Sequence, residues 1–313
     1  MTFKTLFIGL DYKHVEYRSL QNTIRMTKLI DHLIQSYNID KHNYDILNDM
    51  NATYDGIISA LYKLGLQTWS ENLDYVLIYY IGDSINVSDY VHAYNGKFNI
   101  AQGIVPSDYN INGVIDKSKI FEILEQYNPN TKIIFIADSC FLYNNIFNLE
   151  YNWSTYKNNV FLNRPPRNTK YQKTNRKIMT ISYSLSKYGT DDDNYYNILE
   201  NNANIRSFAD FVTKLGYVND DIFSLLKDIN NILNRKNIHM VSSLSASFDL
   251  TETDNNIFKC FDKAALQIPF VDFKPIQEDS FADYIPSYNN ITDEIKQLEA
   301  SVQPIQKIQE CFC

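Results

Sequence analysis

Cysteine is scarce. The four in 313 residues, at 140, 260, 311 and 313, are too scattered for a disulfide framework, and none has the spacing of a zinc site. That scarcity predicts the cytoplasm or another reducing intracellular compartment. No run of about 18 apolar residues occurs, so no membrane-spanning helix is predicted. The apolar run at the start, around Phe3–Gly9, is too short to predict a secretion signal. Basic residues are outnumbered: 29 Lys and Arg face 37 Asp and Glu, a net charge of −8 and a pI near 5.2. A general nucleic-acid binder needs a basic face, so no nucleic-acid partner is expected. Internal repeats are lacking too. What remains is an ordinary apolar fraction of 44%, enough for a sizeable core, in a length that suits one large domain or two smaller ones.

The strongest signal is Lys-Ile-Ile-Phe-Ile-Ala-Asp-Ser-Cys at 132–140. Its five consecutive apolar residues read as a strand buried on both faces, as in the middle of a parallel sheet. Such a strand delivers the residues at its end to the carboxyl edge, where open α/β sheets hold their ligands. Cys140 is therefore presented as a candidate nucleophile, or else it is a small buried hydrophobe. Further strands are predicted at 3–9, 44–47, 74–81, 177–182 and 240–250, with a short extended piece at 104–106. Apolar spacing predicts helices at 20–37, 53–64 behind a Thr53 cap, 116–127, 206–215 and 219–234. Gly82-Asp83-Ser84 is expected to turn at a strand end, and Asn112-Gly113 marks another turn. Residues 152–177, with Pro165-Pro166 and several Arg and Lys, read as an exposed basic linker.

Alternation of strands and helices predicts a mainly parallel central sheet between helix layers over 1–250. The tail, 251–313, breaks the pattern. Within it Ile291, Ile295, Leu298, Val302, Ile305 and Ile308 form a narrow apolar stripe, which predicts an amphipathic helix over about 290–309.

Several passages, in order, resemble the metacaspases, within the caspase-like cysteine peptidases. They are Leu6-Phe-Ile-Gly-Leu-Asp-Tyr12, Ile104-Val-Pro-Ser-Asp108 with Gly113-Val-Ile-Asp116, and Asp138-Ser-Cys140. Phe147-Asn-Leu-Glu-Tyr151, Ile181-Ser182, Asp191-Asp192 and Ser242-Ser243 through Asp249-Leu250 continue the series. The resemblance implies a caspase-like three-layer α/β/α sandwich over 1–250. It implies Cys140 as nucleophile and a pocket for Lys or Arg side chains near Asp138, Ser182, Asp191 and Asp192.

It also implies a catalytic His after Tyr79-Tyr80-Ile81-Gly82, where this chain has Asp83. A carboxylate is a weak base at neutral pH, and its charge raises a neighbouring thiol's pKa. His92 is the rescue candidate for the missing base. Other departures run the same way. Ser184 and Tyr188 replace the family's Cys and Gln, and Phe141, Leu142 and Tyr143 replace small residues after the nucleophile. Lys117 replaces the second acid after Asp116, which weakens any calcium remnant there. No cofactor other than calcium is implied. Three readings are open: an impaired peptidase acting as scaffold or regulator, an active endopeptidase cleaving after Lys or Arg, and an assembly component reusing the fold. All expect a protein or peptide partner, with self-association through the C-terminal helix as one form.

Overall fold

In a computed structural model, the chain divides into two compact units, Met1–Ala264 and Ala265–Cys313. The structure describes residues 2–13, 21–37, 39–86, 102–140, 145–156, 160–163, 171–185, 208–215, 222–223, 225–227 and 240–250. The tail, with its expected helix at 290–309, lies outside them, as do His92, Asp191 and Asp192.

The first unit begins with β1 (Phe3–Gly9), α1 (Asn22–Tyr37), β2 (Tyr44–Asn48), α2 (Tyr54–Ser70) and β3 (Tyr75–Ile81). The chain steps from β1 to β2 on one side, then crosses back to lay β3 on the other side of β1. Right-handed crossovers in opposite directions put their helices on opposite faces. Accordingly α1 packs with Phe7, Tyr79 and Ile136, while α2 packs with Ile8, Tyr80 and Phe135. The period of two in each strand makes this work: Leu77, Tyr79 and Ile81 face one layer, and Val76, Ile78 and Tyr80 the other. Thr53 caps α2, its side chain accepting from Gly56 N as its position predicts.

Next come β4 (Ser84–Asn86), β5 (Gln102–Ile104), the short α3 (Tyr109–Asn112), β6 (Ile115–Asp116) and α4 (Lys117–Leu124). Strands β4, β5 and β6 form a small antiparallel sheet, so Ser84 opens a strand rather than ending a turn. The Asn112-Gly113 turn is present, with Gly113 at φ 76°. Helix α4 buries Ile120, Ile123 and Leu124 beside α2.

The remaining elements are β7 (Lys132–Cys140), β8 (Tyr151–Tyr156), β9 (Val160–Asn163), β10 (Lys177–Leu185), α5 (Phe208–Leu215) and β11 (Met240–Ala246). The main sheet has eight strands in the order β2-β1-β3-β7-β10-β11-β8-β9. Pairing is parallel from β2 through β10 and antiparallel beyond. Helices α1 and α5 cover one face with buried Ile222, Leu225 and Leu226, and α2 and α4 cover the other. Strands β8 and β9 correct the first part, 152–163, of the segment read as a linker. Trp153 is buried and stacks on Tyr151, and that anchor outweighs the basic residues and prolines beyond it. No helix among the described residues is long and apolar enough to cross a membrane.

Candidate active site

The chain reverses direction at β1, so the carboxyl ends of β1 and β3 form a switch-point crevice of the kind that holds ligands in open α/β sheets. Leu10 N donates to Ile81 O at 3.0 Å and closes its floor. Beside it, β3 and β7 run parallel with Ile81 opposite Asp138. Asp83 and Cys140 each stand two residues beyond that pair. The sheet thus brings the two positions to one edge on neighbouring strands, as the pattern of apolar strands predicts. The register of β7 with β10 shifts here, so that Tyr183 pairs with Cys140 after Ser182 pairs with Ala137. Such irregularities re-aim the chain at strand ends.

The main chain of Asp83 is held from below by two phenols. Tyr12 Oη accepts from Asp83 N at 2.9 Å and donates to Val105 O at 2.8 Å. Tyr80 Oη donates to Asp83 O at 2.5 Å, and Val105 N donates to the same oxygen at 3.1 Å. Burial pushes both phenols well above the usual tyrosine value, with the Asp83 charge adding to it, so they stay protonated donors. Gly82 is required between them: a Cβ there would lie 2.6 Å from Tyr80 Oη and 3.1 Å from Tyr12 Oη. Asp83 itself is half-buried. Tyr12 belongs to the opening passage of the resemblance, but no signal in the sequence marked it or Tyr80 as supports of position 83.

Four acids of the motif passages, Asp11, Asp108, Asp116 and Asp138, have a common role, which is to cap helices. Asp11 accepts from Thr23 N at 2.9 Å in the first turn of α1 and also takes the Thr23 hydroxyl. Asp108 accepts from Tyr54 N at 2.7 Å at the start of α2. Asp116 accepts from Ser118 N at 2.7 Å at the start of α4. Asp138, 8% exposed, accepts at Oδ2 from Phe208 N at 2.6 Å and Ala209 N at 3.4 Å at the start of α5, and from Tyr79 Oη at 2.6 Å. A carboxylate at a helix N-terminus satisfies orphan amides and meets the positive end of the dipole.

These contacts bear on two of the expected roles. Asp138 is expected in a substrate pocket; its Oδ2 is bound inside the α1/α5 layer. Asp116 is expected as a calcium remnant; its Oδ1 is bound to Ser118, and burial lowers the pKa of the adjacent Lys117 ammonium against the pull of Asp116. No group of three or more His, Cys, Asp or Glu among the described residues is placed to hold a metal ion.

Ser182, also expected in the pocket, is fully buried. Its Oγ accepts from Ile146 N at 3.1 Å and donates to Asn145 Oδ1 at 3.0 Å. Asn145 is the hub there. It also takes the Thr180 hydroxyl at 2.5 Å, and its Nδ2 donates to Thr180 O at 3.0 Å and Ser243 O at 2.9 Å. This ties the chain beyond the nucleophile strand to β10 and β11. No pattern in the sequence announced it.

The fold and this edge define a caspase-like α/β/α sandwich with a cysteine on its central strand. Residues 4–146 match the model of the metacaspase, peptidase C14 domain. Over that span, a little under half of the chain, the sequence is similar to the metacaspase, caspase-like family. A crystal structure of a Geobacter sulfurreducens protein is similar in fold, with a TM-score of 0.50 at 12% identity over 82% of this chain and 98% of that one. The Drosophila initiator caspase Dronc matches with a TM-score of 0.44 at 12% identity, over 78% of this chain and 80% of that one. No curated protein sequence matches.

Proposed function

We propose that the protein is a catalytically impaired metacaspase-type chain that acts by binding a protein or peptide partner, as a scaffold or regulator. The observation that carries this is Asp83. It stands level with Cys140 on the next strand, its main chain fixed on both sides by Tyr12 and Tyr80. Thiol attack on an amide needs a base that takes the thiol proton and returns it to the leaving amine. A carboxylate near its ordinary pKa of about 4 does this poorly at neutral pH, and its charge disfavours the thiolate. The binding contact is assigned to the apolar stripe of the tail.

The test is hydrolysis of Lys and Arg peptides by the purified full chain, with and without calcium, alongside a thiol-reactive peptide probe. No turnover and no Cys140-dependent labelling is the expected result. Cleavage that disappears in Cys140→Ala would overturn it and establish a working endopeptidase. Asp83→His is expected to bring weak cleavage, because the strand end beneath position 83 is already held in place. Self-association that is lost on removing 251–313 would identify the assembly component.

A further inference from the structure

Two residues with left-handed backbone, neither of them glycine, stand at the same edge of the sheet as Asp83. Tyr12, just beyond β1, has φ 55°, and Asp49, the first residue after β2, has φ 21°. Bulky side chains rarely adopt such backbone, and it persists only where the surroundings hold it. At Tyr12 the holder is Asp49. Its Oδ1 accepts from Asp11 N at 2.8 Å and from Tyr12 N at 3.0 Å, so two successive amides converge on one carboxylate oxygen. Its Oδ2 is buried and has no hydrogen-bond partner, so Oδ1 alone does this.

Asp49 is fixed in turn. Ala52 N donates to Asp49 O at 3.1 Å, and Ser107 N donates to Ala52 O at 2.9 Å. Ser107 lies two residues beyond Val105, whose carbonyl takes the Tyr12 phenol at 2.8 Å. Asp49, Tyr12, Val105, Ser107 and Ala52 thus close a circuit of hydrogen bonds that joins the ends of β1 and β2. The circuit reaches the end of β3 through the Tyr12 phenol, which is buried and accepts from Asp83 N at 2.9 Å. The backbone at residue 12 decides where that phenol lies, and Asp49 holds that backbone.

We propose that Asp49 is a positioning residue for the Asp83 and Cys140 edge. By holding the left-handed turn at Tyr12 it sets the place of the phenol and, through the phenol, the main chain of residue 83. The inference rests on the reading of position 83 as the place of the missing base. It makes the placement of that position depend on a carboxylate at the end of β2, with β1 lying between β2 and β3.

The test is hydrogen exchange of single amides in the full chain, read by NMR. The Asp83 amide is compared with those of Leu77, Ile78 and Tyr79 in the middle of the same strand. Asp49→Gly removes the carboxylate and tolerates left-handed backbone. It is expected to speed exchange at Asp83 about three- to tenfold, the protection given by one ordinary hydrogen bond, with the three reference amides unchanged. Asp49→Asn keeps an acceptor at Oδ1, tolerates the same backbone and restores the slow rate. In Tyr12→Phe the Asp83 amide is already fast, and adding Asp49→Gly speeds it no further, because the effect passes through the phenol. An unchanged Asp83 amide in Asp49→Gly would overturn the proposal. So would a rise shared equally by the reference amides, which marks a merely structural role, or a full further rise in the Tyr12→Phe background. Should Asp49→Gly not fold, Asp49→Ser, whose shorter side chain keeps one acceptor, is read against the same outcomes. No arm measures cleavage, so Cys140-dependent turnover would overturn the impaired reading of the site and leave the positioning role standing.

Discussion

Replacing Asn145 by Ala tests the idea that one side chain fastens the post-nucleophile chain to the sheet. Asn145 is 4% exposed and makes four hydrogen bonds, to Thr180 O, Ser243 O, the Thr180 hydroxyl and the Ser182 hydroxyl. A typical intramolecular hydrogen bond contributes about 1 kcal/mol net, and a buried group left unpaired costs about 1–3 kcal/mol. Two of the stranded groups have alternatives. Ser182 Oγ keeps Ile146 N, and Thr180 Oγ1 lies 3.4 Å from Ser245 O. The two carbonyls are the main loss, so the expected destabilisation is about 2–4 kcal/mol. In a unit of this size that lowers the melting temperature by roughly 4–16 °C. Denaturant unfolding of the full chain, followed by far-UV circular dichroism, measures it. Thr180→Val, which keeps shape and removes one donor, should cost less, and the pair should be strongly non-additive because they share a network. A loss below about 1 kcal/mol for Asn145→Ala, or simple additivity with Thr180→Val, would refute the hub.

Gly82→Ala is expected to cost about 1–3 kcal/mol, because the new methyl meets Tyr80 Oη at 2.6 Å and a buried strand end cannot yield freely; an unchanged melting temperature contradicts the packing. The buried phenols of Tyr12, Tyr80 and Tyr127 all have pKa values raised above 10 by burial. The fold keeps their protons where the unfolded chain releases them, so stability is complete below pH 10 and falls as pH rises beyond it. Tyr127→Phe should flatten that alkaline slope, and an identical slope argues against the burial. His32 behaves in the opposite sense. Burial lowers its pKa, so its share of stability is present above about pH 6.5 and lost on acidification, and His32→Gln should reduce the acid sensitivity seen by thermal melts. Finally, trypsin acting on native protein should spare the bonds after Arg176 and Lys177, since the first is held at N, Nε and O and the second begins β10; fragments ending there would show the segment opens.

The order of strands and helices could be read because buried parallel strands write themselves as unbroken apolar runs. Ile133 to Ala137 and Val76 to Ile81 are two such runs. The juxtaposition of Asp83 and Cys140 came from the same runs. Strands β8 and β9 were not legible. A short edge hairpin has little apolar periodicity, and the prolines after it dominate the local signal. The motif acids were legible as important but not in role. A sequence shows that Asp11, Asp108, Asp116 and Asp138 precede helices only when the helix starts are known, and Asp138 caps a helix some seventy residues away. Asn145 had no signal at all, because its four partners come from two strands that are distant in the chain.

The strand order also constrains how the protein can be made. The antiparallel pair β10 and β11 is inserted between β7 and β8, so the later part of the chain is bounded on both sides by the earlier part. While the chain is being synthesised, β7 exposes an unpaired edge until residues 177–185 have emerged and β8 until residues 240–246 have, and exposed edges invite other chains. The same interleaving means that a peptide-bond break between Asn163 and Tyr171 leaves no seam along which the halves can part. Two fragments meeting at that point, produced together, should assemble into one sheet, whereas the first fragment alone would lack the centre of its own.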